Sequence, residues 1–213
     1  SSMSKSSKKN VYIVGPDNSV TNLFWGRNYN IDRIRDPDLI VFTGGSDINP
    51  KIYGHNKIHE CGYIWDERDK RELEIYEKFK GVPMVGICRG AQLLNSLSGG
   101  SLYQHVTGHQ DGPHEVTDLT GVMPYKTFTI NSCHHQMMIP SDEGEILCFS
   151  KNLSRCYLGD PSKNLPIPKV DVEVVYYEKT KSLCFQAHPE WYGKQKDADC
   201  PTYFFKLIDE VFN

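Results

Sequence analysis

Short apolar runs that end at turn residues, with a helical pattern between them, most constrain the fold of this 213-residue chain. The first half has three such runs, and each predicts a buried strand: residues 11–14, 39–43 and 82–87. Residues 66–80 carry apolar side chains on one stripe among charged ones, which predicts an amphipathic helix. Strand–helix–strand units form parallel sheets that helices cover. The first half therefore predicts a three-layer α/β fold, in which an open, mostly parallel sheet has helices on both faces.

The second half is richer in strands and predicts a small antiparallel β portion. Four segments predict strands, and the last two of them form a hairpin: residues 126–130, 146–149, 170–177 and 183–186. Residues 201–212 predict a terminal helix with proline in its first turn. We expect a single domain over residues 11–213, preceded by a disordered tail over the Ser- and Lys-rich residues 1–10.

Composition argues against several classes of function. The chain has 27 acidic and 24 basic side chains and a net charge of −3, whereas a nucleic-acid binder led by electrostatics is basic. No apolar stretch approaches the roughly 18 residues of a membrane-spanning helix. The seven cysteines are scattered and include no C-x-x-C pair, which favours reduced thiols and a cytoplasmic location. We therefore expect no nucleic-acid and no membrane partner.

The segment most indicative of chemistry is G-x-C-x-G over residues 86–90, between a predicted strand and an apolar helical segment over residues 90–97. A nucleophile elbow needs this placement because its turn is sharp and strained. The glycines keep the crowded flanks free of side chains, and the helix N-terminus favours a thiolate at Cys88. Taken alone, the pattern fits a small buried cysteine equally well.

His188 and Glu190 supply partners for this thiol. In an extended segment, residues two apart point to the same side. Glu190 can then accept a hydrogen bond from one ring nitrogen of His188 while the other nitrogen faces Cys88. A His-x-Glu pair alone is typical of an ordinary surface contact, but beside a cysteine elbow it completes a Cys-His-Glu triad.

Two glycines, Gly44 and Gly45, follow the second predicted strand and let the backbone come close to a ligand. An N–H group at this turn and the N–H group of Arg89 could together bind a developing oxyanion. Without Cys88, the same glycines would fit an ordinary turn.

These segments, in this order, resemble the class I glutamine amidotransferase superfamily. Further segments are similar to its γ-glutamyl hydrolase branch, which includes the γ-glutamyl-γ-aminobutyrate hydrolases: FTGGSDINPKIYG over residues 42–54, Arg68-Asp69 with Glu72, and NSCHHQ over residues 131–136. The resemblance implies the flavodoxin-like fold of that superfamily. The chain departs from the branch at Ala187, where the family has an aromatic residue, and in the short segment between Gly108 and Thr129.

The resemblance also implies the residues that carry the reaction. It makes Cys88 the nucleophile, His188 the general acid and base, and Glu190 the carboxylate that orients the imidazole. The oxyanion hole would consist of the backbone N–H groups of Gly45 and Arg89. The implied reaction is hydrolysis of a γ-glutamyl amide through a glutamyl thioester, which releases glutamate and ammonia or an amine.

Four residues are implied to bind the substrate, a small γ-glutamyl compound: Gly44, Gln92, His134 and His135. Gln92 would face the γ-glutamyl group, and the two histidines would lie beside its α-amino and α-carboxylate groups. His105, His109 and His114 are loosely spaced and favour a polar loop over a metal site. We therefore expect no metal and no cofactor.

Three functions remain open at this point. The first is a free-standing γ-glutamyl amide hydrolase. The second is a glutaminase subunit that passes ammonia to a separate synthetase, and the third is a non-catalytic binding protein on the same fold. Cys88, His188 and Glu190 argue against the third, because a scaffold needs none of them.

Overall fold

The computed structural model describes residues 8–32, 34–110, 112–191 and 199–213. The helices are α1 (Asn18–Phe24), α2 (Asp66–Lys78), α3 (Arg89–Leu97) and α4 (Asp199–Phe212). The strands are β1 (Lys9–Val14), β2 (Tyr29–Ile31), β3 (Leu39–Phe42), β4 (Met84–Ile87), β5 (Ser101–Tyr103), β6 (His105–Val106), β7 (His114–Asp118), β8 (Thr127–Ile130), β9 (Met137–Ile139), β10 (Glu145–Ser150), β11 (Tyr157–Leu158), β12 (Asp171–Tyr177) and β13 (Ser182–Phe185). Short 3-10 turns cover Pro50–Tyr53, Pro161–Lys163 and Pro189–Trp191.

Within the described residues, nine strands form one sheet in the order β2-β1-β3-β4-β13-β12-β10-β7-β8. The strands from β2 to β13 run parallel, and those from β12 to β8 continue the sheet in antiparallel pairs. The central strands β3 and β4 are buried along their whole length, because strands of a parallel sheet are covered on both faces. The predicted parallel sheet with an antiparallel portion is confirmed, and within the described residues the two portions have four strand pairs each.

Helices cover both faces of the sheet, as predicted. On one face, α1 and α4 pack through aromatic side chains such as Phe24 and Phe204, whose rings meet edge to face with centroids 6.1 Å apart. On the other face, α2 and α3 bury Tyr76, Leu93 and Leu94 against the sheet. Burying one such large apolar side chain stabilises the fold by about 1.5–3 kcal/mol. These two apolar layers hold the edge of the sheet where the candidate site lies.

Several predicted elements are found with small shifts. The predicted hairpin is β12 and β13, with Val174 opposite Phe185. The terminal helix begins at Asp199, two residues earlier than predicted. Strand β1 begins at Lys9 and pairs with β2, so residues 9 and 10 do not belong to the predicted tail. Residues 1–7 of that tail lie outside the described residues.

The parallel strands end at one edge of the sheet, and this edge positions the candidate site. Thr43 follows β3, Cys88 follows β4 and Gln186 follows β13. In open α/β sheets, ligands bind outside these carboxyl ends. Within the described part of the chain, no helix has both the length and the apolar character that a membrane span requires.

Candidate active site

Cys88 lies in a strained turn between β4 and α3. Its backbone has φ 54° and ψ −105°, a region that residues other than glycine rarely adopt. A Cβ on Gly86 would lie 2.2 Å from the carbonyl oxygen of Gly90, and a Cβ on Gly90 would lie 2.1 Å from that of Phe42. Both positions therefore require glycine. The predicted elbow geometry is present, with the thiol at the N-terminus of α3.

His188 and Glu190 come together, but not in the way that an extended segment would place them. Strand β13 ends at Phe185, and Pro189–Trp191 forms a 3-10 turn. The turn brings His188 Nδ1 within 2.8 Å of Glu190 Oε2. The contact predicted from the sequence is thus present, whereas the extended conformation proposed for it is wrong.

Two further residues position this histidine, and a third contacts Cys88. The Asn131 side chain makes two hydrogen bonds with the backbone of His188. Its Nδ2 donates to the His188 carbonyl oxygen at 2.8 Å, and its Oδ1 accepts from the His188 N–H at 2.8 Å. The Trp191 ring stacks on the imidazole, with centroids 3.8 Å apart and planes 5° apart. Gln186 Nε2 donates to Cys88 Sγ at 3.5 Å. Sequence reasoning gave these residues no part in positioning the triad, since each acts through a partner distant in sequence or through the turn.

Cys88 and Glu190 strongly favour the protonated form of His188. Burial alone lowers the pKa of this imidazole. The negative charge of a Cys88 thiolate opposes burial, as do hydrogen bonds with Cys88 and Glu190, and together they raise the pKa from 6.5 to about 10. Because the folded-state pKa is raised, this contribution to stability is complete below about pH 6.5 and is lost as the pH rises through about 10.

We expect the imidazole signals of His188 to show the protonated form at neutral pH in the wild-type protein. In Cys88→Ala, the pKa of His188 should fall, because the thiolate that opposes the effect of burial is gone. An NMR titration of ¹⁵N-labelled histidine side chains measures both values. Equal pKa values of His188 in the two proteins would contradict an imidazolium–thiolate pair.

The glycine turn after β3 lies directly beside Cys88 and His188. A Cβ on Gly44 would lie 3.1 Å from His188 Cε1 and 3.6 Å from Cys88 Cβ. Arg68 Nη2 donates to the carbonyl oxygens of Thr43 at 3.1 Å and Gly44 at 2.9 Å. Because N–H and C=O of a trans peptide point in opposite directions, the N–H group of Gly45 points away from this guanidinium.

A buried ion network joins the glycine turn to the elbow. Glu72 accepts from Arg68 Nε at 2.7 Å and from Arg89 Nη1 at 2.6 Å. Arg89 Nη2 also pairs with Asp69, whose other carboxylate oxygen accepts from the Asn49 N–H at 2.9 Å. The Arg89 side chain is 1% exposed, so only its backbone N–H is a candidate donor to a ligand. The family-like residues Arg68, Asp69 and Glu72 are thus brought together with Arg89.

The implied substrate-binding residues occupy different environments. Gln92 is buried, and its Nε2 donates to Gln186 Oε1 at 3.2 Å. His134 is also buried; its Nδ1 donates to the Gln136 carbonyl oxygen at 2.7 Å, and burial lowers its pKa to about 3. Only His135 of these three is partly exposed. A neutral, buried His134 is poorly suited to the predicted contact with a charged substrate group.

His135 pairs with an acidic residue that sequence reasoning did not assign. Its Nε2 lies 2.8 Å from Asp47 Oδ2, and this hydrogen bond raises the pKa of His135. Asp47 also accepts from the N–H of Gly62 at 2.6 Å. His105 Nδ1 lies 3.1 Å from His135 Nδ1. A partly exposed imidazole paired with a buried carboxylate therefore lies two residues from Cys133, whose carbonyl oxygen is 4.0 Å from Cys88 Sγ.

Two comparisons identify the class of protein that this fold and site define. The crystal structure of a glutamine amidotransferase from Thermotoga maritima has a TM-score of 0.60 and 16% sequence identity, covering 97% of this chain and 86% of that chain. The Peptidase C26 family model matches residues 28–146, more than half of the chain. The chain belongs to this family, which is class I glutamine amidotransferase-like.

Curated relatives share about half of their length with the chain. The putative glutamine amidotransferase-like protein YvdE of Lactococcus lactis is 32% identical over 126 residues, which is 50% of this chain and 53% of that protein. The carbamoyl phosphate synthase small chain of Clostridium acetobutylicum is 25% identical over 218 residues, which is 98% of this chain and 55% of that protein. The family suggests a cysteine-dependent amide hydrolase.

Proposed function

We propose that the chain hydrolyses the γ-glutamyl amide bond of glutamine or of a γ-glutamyl amine. The observation that carries this proposal is Cys88 in a strained elbow, beside a histidine that Glu190 orients at 2.8 Å. A nucleophile, a base in hydrogen-bond contact with it and a group that orients the base are the parts that covalent acyl transfer needs.

In the first half of the proposed reaction, the Cys88 thiolate attacks the side-chain amide carbon of the substrate. The carbonyl oxygen becomes an oxyanion, which the N–H groups of Gly45 and Arg89 stabilise. One such donor is worth about 3–4 kcal/mol in other enzymes. The imidazolium of His188 then gives its proton to the leaving nitrogen, the C–N bond breaks, and glutamyl thioester and free amine result.

In the second half, His188 takes a proton from water, and the hydroxide attacks the thioester carbonyl. The C–S bond breaks, glutamate leaves, and Cys88 returns to the thiolate while His188 is again an imidazolium. Glu190 stabilises this imidazolium and does not itself exchange a proton. The high pKa of His188 supports its role as the acid, since the protonated form is the one that the first half requires.

His135 and Asp47 are the proposed contacts for the charged α-groups of the glutamyl moiety. Asp47 supplies a carboxylate, and His135 supplies a partly exposed imidazole whose pKa this pairing raises; an α-ammonium and an α-carboxylate are the groups that such a pair complements. Gln92 acts on the nucleophile indirectly. Its Nε2 donates to Gln186 Oε1, and Gln186 in turn donates to Cys88 Sγ. Gly44 leaves the space between Cys88 and His188 open for the substrate.

The test is steady-state glutamate release by the purified chain from glutamine and a panel of γ-glutamyl amines. We expect at least one substrate to turn over with kcat of about 1–1000 s⁻¹. Cys88→Ala is the matched control for contaminating glutaminase. Background rates with every substrate, in a protein whose Cys88 still reacts with a glutamine-analogue electrophile, would contradict a free-standing hydrolase.

A second candidate is a glutaminase subunit that delivers ammonia to a separate synthetase chain. The similarity to a carbamoyl phosphate synthase small chain over 98% of this chain favours it. Such a subunit wastes glutamine when it runs alone, so its site is completed only when the partner docks. Labelling of Cys88 without turnover, in the panel above, is the result that this candidate expects.

A further inference from the structure

A second cluster of histidine and carboxylate groups lies beside the candidate active site. His109, after β6, and His114, in β7, meet Glu173 of β12, and one ligand atom from each lies within 4.8 Å of the others. His114 Nε2 is 2.7 Å and His109 Nδ1 is 3.9 Å from Glu173 Oε2. The polar loop predicted for His105, His109 and His114 is wrong, because His105 and His114 lie in β6 and β7 and His109 is completely buried.

Neighbouring groups orient the donor atoms of this cluster. The opposite nitrogen of His109, Nε2, donates to Asp171 Oδ2 at 2.7 Å, so that Nδ1 faces Glu173. Asp171 is itself held by Tyr157, whose hydroxyl donates to Oδ1 at 2.6 Å. Ser150 Oγ donates to Glu173 Oε2 at 2.8 Å. A carboxylate behind a histidine is the usual arrangement around protein-bound zinc, where it sets the tautomer and strengthens the ligand.

Two buried polar atoms at the cluster make no hydrogen bond within the described residues. They are Glu173 Oε1 and His134 Nε2. The His134 ring stacks on His109 with centroids 4.6 Å apart, and its other nitrogen already donates to the Gln136 carbonyl oxygen. A buried acceptor without a donor is costly. A carboxylate oxygen and an unprotonated imidazole nitrogen are both acceptors, and a single cation can bind to both.

The buried negative charges of the cluster also favour a bound cation. Asp171 and Glu173 are both fully buried, and the ion pairs that they make within the described residues are with imidazoles. Buried carboxylates are normally paired with a cation or coordinate a metal. A divalent ion would supply that charge at the centre of the cluster.

We propose that His109, His114 and Glu173 form a binding site for a divalent first-row transition metal of the zinc type. Two imidazoles and one carboxylate are a known three-ligand set for Zn²⁺, which leaves the fourth position for water or for a neighbouring donor such as His134. Ligands about 2.0–2.1 Å from the ion lie about 3.3 Å from one another. The two distances to Glu173 Oε2, 2.7 Å and 3.9 Å, bracket this value, and all three ligand atoms lie within 4.8 Å of one another, so side-chain rotations could bring them to coordination distance.

The proposed site ties together segments that shape the active site. His134 N–H donates to the His109 carbonyl oxygen at 2.9 Å, and His134 directly follows Cys133, whose carbonyl oxygen lies 4.0 Å from Cys88 Sγ. Glu173 lies in β12, and its carbonyl oxygen accepts from the Gln186 N–H at 3.0 Å. A bound ion would therefore stabilise the wall opposite the elbow and would take no part in the proposed thioester chemistry.

The test is Zn²⁺ binding to the metal-free 213-residue chain, measured by calorimetry and by metal content after gel filtration. All proteins carry Cys88→Ala, because a thiolate beside His188 could itself hold zinc. We expect one equivalent to bind, with a rise in Tm that grows with zinc concentration. His114→Asn should weaken binding by about 100-fold or more, at least the loss that follows from disturbing a group behind a zinc ligand. His59→Asn, at an exposed histidine, is the matched control and should bind as its parent does.

Co²⁺ absorption provides a second readout that does not depend on activity. We expect d–d bands of a four-coordinate nitrogen and oxygen site, without thiolate-to-cobalt charge transfer. Absence of stoichiometric binding would overturn the proposal, and so would binding that His114→Asn leaves unchanged or a thiolate signature. Glu173→Gln gives the same test at a second ligand. If Glu173→Gln fails to fold by circular dichroism, His114, whose side chain is less buried than that of Glu173, decides the result alone.

Discussion

Cys88→Ala is expected to lower kcat for the best γ-glutamyl substrate by about a million-fold while the protein stays folded. Residues of a catalytic triad act as a unit, and loss of the nucleophile alone removes most of the rate enhancement. The backbone of the elbow is held by the close contacts of Gly86 and Gly90, not by the thiol. The cost in unfolding free energy should therefore be about 1 kcal/mol or less. Steady-state kinetics and thermal unfolding of the same preparation check both parts.

Cys133→Ala is the matched control for this substitution. Cys133 is an exposed free cysteine whose carbonyl oxygen lies near Cys88 Sγ, so its thiol can be removed without touching the proposed chemistry. Its kcat should stay within a few-fold of wild type. Activity of Cys88→Ala within about tenfold of wild type would exclude Cys88 as the nucleophile, since a lost covalent step is worth far more.

Electrophile labelling distinguishes the non-catalytic alternative. A glutamine analogue with a reactive group at the amide position should modify Cys88 in the wild-type chain and should leave Cys133 unmodified. A binding protein on the same fold has no activated thiol and would show no preference between them. Peptide mapping by mass spectrometry after labelling reports the modified residue directly.

Features that depend on residues close in sequence could be predicted, and the strands of the central sheet are such a feature. The runs that became β3 and β4 are apolar at almost every position and end at turn residues, so burial on both faces is evident locally. Helix α1 was missed because it has only seven residues, too few for a clear helical period. Its start is a local signal that could have been used: Asp17 caps the helix by accepting from the Ser19 N–H at 2.9 Å.

In the candidate site, too, features set by nearby residues could be predicted, and features set by distant residues could not. The elbow and the pairing of His188 with Glu190 were predictable because each lies within a few residues of sequence. The 3-10 turn that creates the pairing was not, since it also depends on Asn131 holding the His188 backbone. The different positions of His134 and His135 follow from Gln136 and Asp47. Adjacent residues on a loop give no sign of which one will be buried.

The sequence showed the residues of the buried ion network but not the ion pairs between them. The network consists of Arg68, Asp69, Glu72 and Arg89. On α2, Arg68 and Glu72 are four residues apart and therefore neighbours. Nothing local indicates that Arg89, at the start of another helix, enters the same network and is buried there. This network holds both of the segments that supply the proposed N–H donors of the oxyanion hole, so its loss should affect the stability of both segments.

Arg89→Met is therefore expected to destabilise the protein strongly while leaving the chemistry nearly intact. The substitution keeps the backbone N–H and a side chain of similar length, but it leaves the buried carboxylates of Asp69 and Glu72 without this cation. Breaking a buried ion pair costs about 3–5 kcal/mol. For a chain of this size that corresponds to a fall in Tm of about 6–20 °C. The change in Tm and kcat per folded molecule, measured well below Tm, are the two readouts.

Arg71→Met is the control, because Arg71 is an exposed arginine on α2 and its loss should change stability by less than about 0.5 kcal/mol. For Arg89→Met, we expect kcat to stay within about tenfold of wild type, since a lost oxyanion donor would cost on the order of 100-fold or more. A collapse of kcat with unchanged Tm and KM would mean that the guanidinium itself acts in the transition state. The buried position of Arg89 between Glu72 and Asp69 makes the opposite result the expected one, because a side chain held there by two carboxylates cannot also reach a substrate above Cys88.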